Sequence, residues 1–336
     1  MTARRLLPLV LALCLLLAGC GARENSAAFY AMSTYMTIRA WDADDALLRR
    51  AEETVAELEQ RLSVTREDSE LAVLNRTGTV RLSADGAALL RRALALCAAT
   101  DGALDLSVYP VVRAWGFTTQ DYRVPDAAEL DALLARVDYT RVTLEDDGTV
   151  TVPAGMELDL GAVAKGWAGD RLAQLLRDGG VTSAILSLGG NVQTVGARPD
   201  GDAWNVAVRD PSGEGMLGVV RAADEAVVTS GGYERYFVDD AGVVRWHIMD
   251  PATGYPARSG LVSVTVVGAE GVVCDALSTA LFVMGAERAE DYWRAHRDFE
   301  CLLVTEDGAL LLTPGLAARF TPADGLSYEV RVIADA

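Results

Sequence analysis

An α+β fold built mainly on antiparallel sheets is what these 336 residues predict, and three observations carry the expectation. Residues 183–195 and 226–249 read as strand, turn, strand, with Gly-Gly-Asn and Asp-Asp-Ala-Gly at the turns. Helical stretches are interspersed among these hairpins, an order that argues against a doubly wound parallel sheet. Around Gly189-Gly190 the glycines are too sparse for a nucleotide fingerprint, with neither G-x-G-x-x-G nor G-x-x-x-x-G-K-[ST] spacing there.

The N-terminal segment MTARRLLPLVLALCLLLAGC reads as a targeting leader over 1–19. It has Arg4 and Arg5, an apolar core from Leu6 to Leu17, and small residues before Cys20. The core is short for a bilayer span. LAGC resembles a bacterial lipobox, which implies cleavage before Cys20 and acylation of that cysteine. Losing residues 1–19 moves the formal charge from 30 − 48 = −18 to 28 − 48 = −20. So acidic a body repels nucleic acid and anionic headgroups, so membrane attachment would rest on the acyl chains. Cys97, Cys274 and Cys301 are widely spaced and odd in number, which fits neither a disulfide framework nor a zinc site and suggests buried apolar thiols. Residues 20–28 read as anchor and tether, and 29–336 as one domain, with room for two interleaved lobes.

The first strand-like run, AFYAMSTYMTIRAW, is interrupted by Met32-Ser33-Thr34. An apolar stripe from Leu47 to Leu62 predicts a helix over 44–62, and SVTREDSELAVLN after it reads as a loop. A second helix is expected over 83–100, then a turn at Asp101-Gly102. Asp105 follows, flanked by leucines, either a cap or a buried carboxylate that needs partners. Residues 124–137 predict a helix with Pro125 and acids in its first turn. The run 157–161 reads as an apolar strand leading to a helix from about Val163 to Arg177. Lys165, at that turn, is the one lysine among 30 basic residues. A compact ammonium beside a helix start suits an anionic ligand.

The residues from His247 to Thr279 hold the densest chemistry. HIMDP contains one of two histidines; ATGYP makes a turn; LVSVTVV has strand alternation. Beyond it, Asp275, Ser278 and Thr279 fall at i, i+3 and i+4 and share one helix face. Any one of them alone reads best as helix capping; together, soon after His-x-x-Asp, they form a hard oxygen set suited to Mg²⁺ and point to metal-assisted phosphoryl transfer. His247 is equally readable as a structural strand-end histidine, and Asp250 before Pro251 as a turn-former.

Ordered blocks then add a family likeness. MST (32–34), DSELAVLN (68–75), DGALDLSVYPVVRAWGF (101–117), LDLGAVAKGWAGD (158–170), LSLGGN (186–191), TSGGYERY (229–236), HIMDPATGYP (247–256) and DALSTALFVMG (275–285) resemble the ApbE-type flavin transferases. That resemblance implies a T-fold-like flavin transferase architecture, FAD and Mg²⁺ as ligands, and transfer of FMN to a Thr or Ser hydroxyl of a target protein with release of AMP. It also implies Asp275, Thr279 and the Ala162 carbonyl as metal ligands. Met32, Asp105, Lys165 and His247 would be flavin-nucleotide contacts, along with the loop Thr65-Arg66-Glu67. Asp275 and His247 are its candidates for acid–base work. Many relatives carry an aromatic residue at the place of Thr65, which leaves Tyr233 or Trp115 to supply a ring. The implied acceptor is a membrane electron-transfer subunit, and the implied location the outer side of the cytoplasmic membrane. An FAD pyrophosphatase and a non-catalytic flavin-binding lipoprotein are the competing readings.

Overall fold

The computed structural model describes residues 22–213 and 215–334. The leader and Cys20 lie outside the described residues. Strand β1 (Glu24–Ala31) pairs antiparallel with β2 (Thr34–Trp41), beginning at Glu24 opposite Trp41. Residues 24–28, expected as part of a tether, already belong to β1, where Glu24 accepts from Arg39 at 2.7 Å. Met32 and Ser33 form the tight turn with φ of +48° and +60°. Non-glycine residues seldom adopt that region, so the turn holds local strain.

Helix α1 (Asp45–Leu62) starts where Asp44 accepts from Leu47 N–H, and it buries the expected apolar stripe. The loop after it is shorter than expected. Ser69 caps α2 (Glu70–Thr77), and Leu71 and Leu74 of that helix are buried. Strand β3 (Thr79–Arg81), α3 (Ala84–Ala99), α4 (Tyr109–Ala114), α5 (Ala127–Leu134), β4 (Thr143–Leu144) and β5 (Thr149–Thr151) follow, with the short strands in a separate sheet. α5 begins later than 124, after the Asp126 cap.

Residues 157–160 are not a ladder strand, contrary to the sequence expectation. Leu158 exchanges two 2.8 Å hydrogen bonds with the Asn75 side-chain amide, and Asp159 N–H donates to Leu106 O at 3.0 Å. An amide side chain here replaces a neighbouring strand.

Helix α6 (Ala164–Asp178) leads to β6 (Ala184–Leu188) and β7 (Asn191–Val195), joined by Gly189-Gly190 with φ of +63° and +97°. Next come β8 (Trp204–Arg209), β9 (Met216–Ala222), β10 (Ala226–Gly231), β11 (Tyr236–Val238), β12 (Val244–Trp246) and β13 (Leu261–Gly268). A G-x-G-x-x-G spacing does occur at 213–218, but its second half lies within β9 and it opens no helix, so it has none of the geometry of a dinucleotide turn. The chain closes with α7 (Gly271–Met284), α8 (Ala286–His296), β14 (Glu300–Thr305), β15 (Ala309–Leu312), α9 (Pro314–Ala317), β16 (Phe320–Pro322) and β17 (Glu329–Val332).

The main sheet runs β1-β2-β6-β7-β10-β13-β14-β15-β17 and is antiparallel at every described pairing except β15–β17. This is the α+β, antiparallel-dominated architecture expected. One face packs against α1, α6 and α7, through Ile38, Leu186, Val228 and Val266 among others. The other face meets the β16-β9-β8 sheet through Val227, Val267, Leu302 and Val220. Cys97, Cys274 and Cys301 are free and buried. No described helix is long and apolar enough to cross a membrane.

Helices α6 and α7 cross at a glycine pair. A Cβ on Gly166 would stand 2.2 Å from Gly271 O, and one on Gly271 would stand 2.6 Å from Gly166 O. α7 has no capping side chain of its own. Asp170 of α6 supplies one across the interface, accepting from Gly271 N–H at 2.6 Å and Val272 N–H at 2.9 Å. The two helices that carry Lys165 and Asp275 are thus fixed to each other by backbone contact and a borrowed cap.

Candidate active site

A cavity of about 760 Å³ opens beside this crossing, within the size range of small-molecule and cofactor sites. Asp275, Thr279, Ala162 and Lys165 are among its lining residues. Asp275 is buried; its Oδ2 accepts from Gly166 N–H at 2.8 Å and its Oδ1 lies 3.8 Å from Lys165 Nζ. Ser278 turns inward, donating to Asp275 O at 2.9 Å and meeting Ser230 Oγ at 2.7 Å. Ser230 is also 3.3 Å from Thr279 Oγ1, so it fixes both hydroxyls of the helix face. Ser278 is thereby a positioning group, since it does not line the cavity, whereas Thr279 does.

These residues can be tested against a hard divalent cation. Among the described residues no cluster of three His, Cys, Asp or Glu side chains could hold a metal. The oxygens on offer are of another kind: the Asp275 carboxylate, the Thr279 hydroxyl and the Ala162 main chain, all from residues that line the cavity. Mg²⁺ is commonly held by few protein oxygens, with waters and substrate phosphate completing its shell. The residues present fit that ion.

Met32, Asp105 and His247 line the same cavity. Asp105 is both of the things its sequence allowed. Its Oδ1 accepts from Ser107 N–H at 2.8 Å and Ser107 Oγ at 2.6 Å, and its Oδ2 accepts from Tyr139 N–H at 3.2 Å. It caps a short 3₁₀ turn and still faces the cavity. Burial raises its pKa, opposed by those hydrogen bonds.

Sequence reasoning missed Asp159, although the signal was present. Leu-Asp-Leu occurs at 104–106 and again at 158–160, and Asp159 N–H bonds Leu106 O across the pair. All four leucines are buried, while both aspartates line the cavity. Burial raises the pKa of Asp159, opposed first by Gly161 N–H and then by the Arg235 guanidinium. Arg235 also lines the cavity and was not anticipated.

The loop Thr65-Arg66-Glu67 does not line the cavity. Thr65 bonds Ser63 Oγ, Arg66 lies 4.0 Å from Asp68, and Glu67 O accepts from Arg76. Neither anticipated ring reaches the cavity. Trp115 is fully buried and donates to Gly254 O at 2.9 Å, and Tyr233 packs beneath Arg209. The aromatic side chains that do line it are Tyr30, Phe117, Tyr122 and Tyr236. Tyr30 and Tyr236 are 73% and 52% exposed, which puts them at the mouth.

His247 Nδ1 lies 3.2 Å from Arg235 O. A carbonyl only accepts, so Nδ1 carries the hydrogen and Nε2 keeps a lone pair. Burial, with the Arg235 guanidinium second, lowers the pKa of His247 to about 4. At neutral pH the ring is therefore neutral, with Nε2 a hydrogen-bond acceptor.

A pH dependence follows. The folded pKa lies below the ordinary 6.5, so the unfolded chain takes up a proton first as pH falls. Stability present above pH 6.5 is therefore lost on acidification toward pH 4. Asp105 and Asp159 contribute with the opposite sign, their folded pKa values being raised. Comparing Tm of the wild type and His247→Asn from pH 7 to pH 4 isolates the histidine. The variant should lose less stability over that window than the wild type; parallel curves would contradict a neutral imidazole in the folded state.

The protein is thus an α+β protein whose packed helix pair borders one large cleft lined by Asp275, Thr279 and Lys165. The chain belongs to the ApbE family, whose family model matches residues 32–303. A protein named FAD:protein FMN transferase from Klebsiella pneumoniae (strain 342) is 34% identical over 308 residues, covering 89% of this chain and 94% of that one. One of the same name from Treponema pallidum (strain Nichols) is 35% identical over 328 residues, covering 90% of each. Among solved structures, the ApbE protein of Thermotoga maritima superposes with a TM-score of 0.83 at 31% identity, covering 89% of this chain and all of that one. The flavin transferase ApbE of Vibrio cholerae gives 0.80 at 29% identity, with the same coverage.

Proposed function

We propose that this protein transfers FMN from FAD to a hydroxyl of a protein acceptor, a Thr or Ser side chain, and releases AMP. The observation that carries the reading is that Asp275, Thr279, Ala162 and Lys165 line one cleft together with Met32, Asp105 and His247, with Lys165 3.8 Å from Asp275. Relatives named for this reaction cover nearly the whole chain.

In the proposed step the acceptor hydroxyl oxygen attacks the phosphorus on the riboflavin side of the diphosphate. A new P–O bond forms, the bond to the bridging oxygen breaks, and AMP departs with that oxygen. Asp275, Thr279 and the Ala162 carbonyl would hold Mg²⁺, which when bound neutralises diphosphate charge. Lys165 adds a fixed positive charge beside Asp275. Asp275 is already engaged by Gly166 N–H and Lys165, so it suits ligation better than proton abstraction. His247, whose Nδ1 faces Arg235 O, would offer its Nε2 lone pair as a hydrogen-bond acceptor that orients the attacking hydroxyl. The two leucine-flanked aspartates would receive donor groups of the dinucleotide, and the mouth tyrosines would flank its exposed end.

On the same reading Cys20 carries a lipid and the acceptor is a membrane electron-transfer subunit on the outer side of the cytoplasmic membrane. Incubation of the protein with FAD, Mg²⁺ and a threonine-bearing acceptor domain, followed by intact-mass measurement, tests the transfer. A mass gain of one FMN, abolished by a chelator, is the expected result. FAD bound but intact after prolonged incubation would refute it.

A further inference from the structure

Asn191 is 4% exposed, lines the cavity, and its Nδ2 has no hydrogen-bond partner in the fold. An orphaned buried donor is rare in native proteins and costs enough to need a reason. The turn before it supplies none: Gly189-Gly190 closes the hairpin through the β6–β7 ladder, in which Leu188 pairs with Asn191. Asparagine is also a poor strand former, yet it stands at the first position of a buried central strand.

Its position says what it faces. Asn191 pairs with Val228 of β10, and directly paired residues present side chains on the same face of a sheet. Val228 packs with Cys274 and Leu277 of α7 on the helix-covered face. Ser230, two residues along β10, is on that face too and bonds Ser278 and Thr279. The Asn191 amide is thus a diagonal neighbour of the serine that fixes the Thr279 hydroxyl, at the Asp275 end of the cleft. Resting on the function proposed above, we infer that Asn191 donates its Nδ2–H to a phosphoryl oxygen of the bound dinucleotide's diphosphate. A neutral donor held there in advance stabilises charge on that oxygen without reorganising during the reaction.

The test uses the whole protein with Mg²⁺ and compares wild type, Asn191→Ala and Asn191→Asp. Measured are the Kd values for FAD, ADP and riboflavin, the kcat of FMN transfer, and the Tm without ligand. Asn191→Ala should weaken ADP and FAD about tenfold to a hundredfold, the range for a hydrogen bond to a charged group. Riboflavin, which has no phosphate, should bind unchanged, and the ligand-free Tm should not fall. Asn191→Asp should be worse than alanine for ADP, because a carboxylate would face the anion. If asparagine merely fills space, aspartate would rescue what alanine loses, and that result overturns the inference. Equal ADP and FAD affinities in all three proteins overturn it as well. Wild-type protein that binds FAD and ADP yet transfers no FMN would refute the proposed function instead, while the affinities would still decide Asn191.

Discussion

Asp275→Asn is expected to lower FMN transfer by about a hundredfold to a thousandfold, the usual loss on removing one preorganised electrostatic group. Asparagine keeps the shape and an oxygen that can accept from Gly166 N–H, at 2.8 Å in the wild type. What it removes is the charge that faces Lys165 and would hold the cation. The folded state should survive, whereas Asp275→Ala would also strand a buried amide and weaken the helix pair. Steady-state transfer rates across a Mg²⁺ titration, with Tm measured beside them, check this. A variant that transfers like the wild type at limiting Mg²⁺ would refute the proposed metal-holding role of Asp275.

Gly166→Ala should be the most damaging small change in the fold. Its Cβ would stand 2.2 Å from Gly271 O, 2.5 Å from Gly271 C and 2.8 Å from Asp275 Cβ. None of these is the far end of a flexible side chain. α7 must move away from α6, which stretches the Asp170 cap and displaces Asp275 together. Overpacking of this kind costs about 1–3 kcal/mol or more, so a clear drop in Tm is expected. Transfer should fall further than stability alone explains, because Gly166 N–H also orients the Asp275 carboxylate. Unchanged Tm and rate in Gly166→Ala would show that the crossing is looser than its geometry.

Local patterns made much of this legible from the residues. Helical spacing placed Asp275, Ser278 and Thr279 on one face, and the structure sends Thr279 to the cavity and Ser278 to Ser230. The hairpins at 183–195 and 226–249 could be read because their turns are local. What failed depended on distant partners. Residues 157–160 have the apolar look of a strand, but Asn75, 83 positions away, satisfies their backbone. Asp159 shares its leucine flanks with Asp105, yet only hydrogen bonding between the two segments brings both to one cleft. Trp115 and Tyr233 were plausible rings by residue type; burial removes the first, and packing under Arg209 removes the second. Asn191 carried a local oddity, a weak strand former after two glycines, whose meaning emerges only from its pairing with Val228.

On the proposed function a protein hydroxyl, not water, takes the FMN. Counting AMP released against FMN attached in one reaction, with and without acceptor, separates the two. One AMP for each flavinylated acceptor is expected, with little AMP when acceptor is absent. AMP and free FMN formed at the same rate without acceptor would contradict it and make the protein a pyrophosphatase.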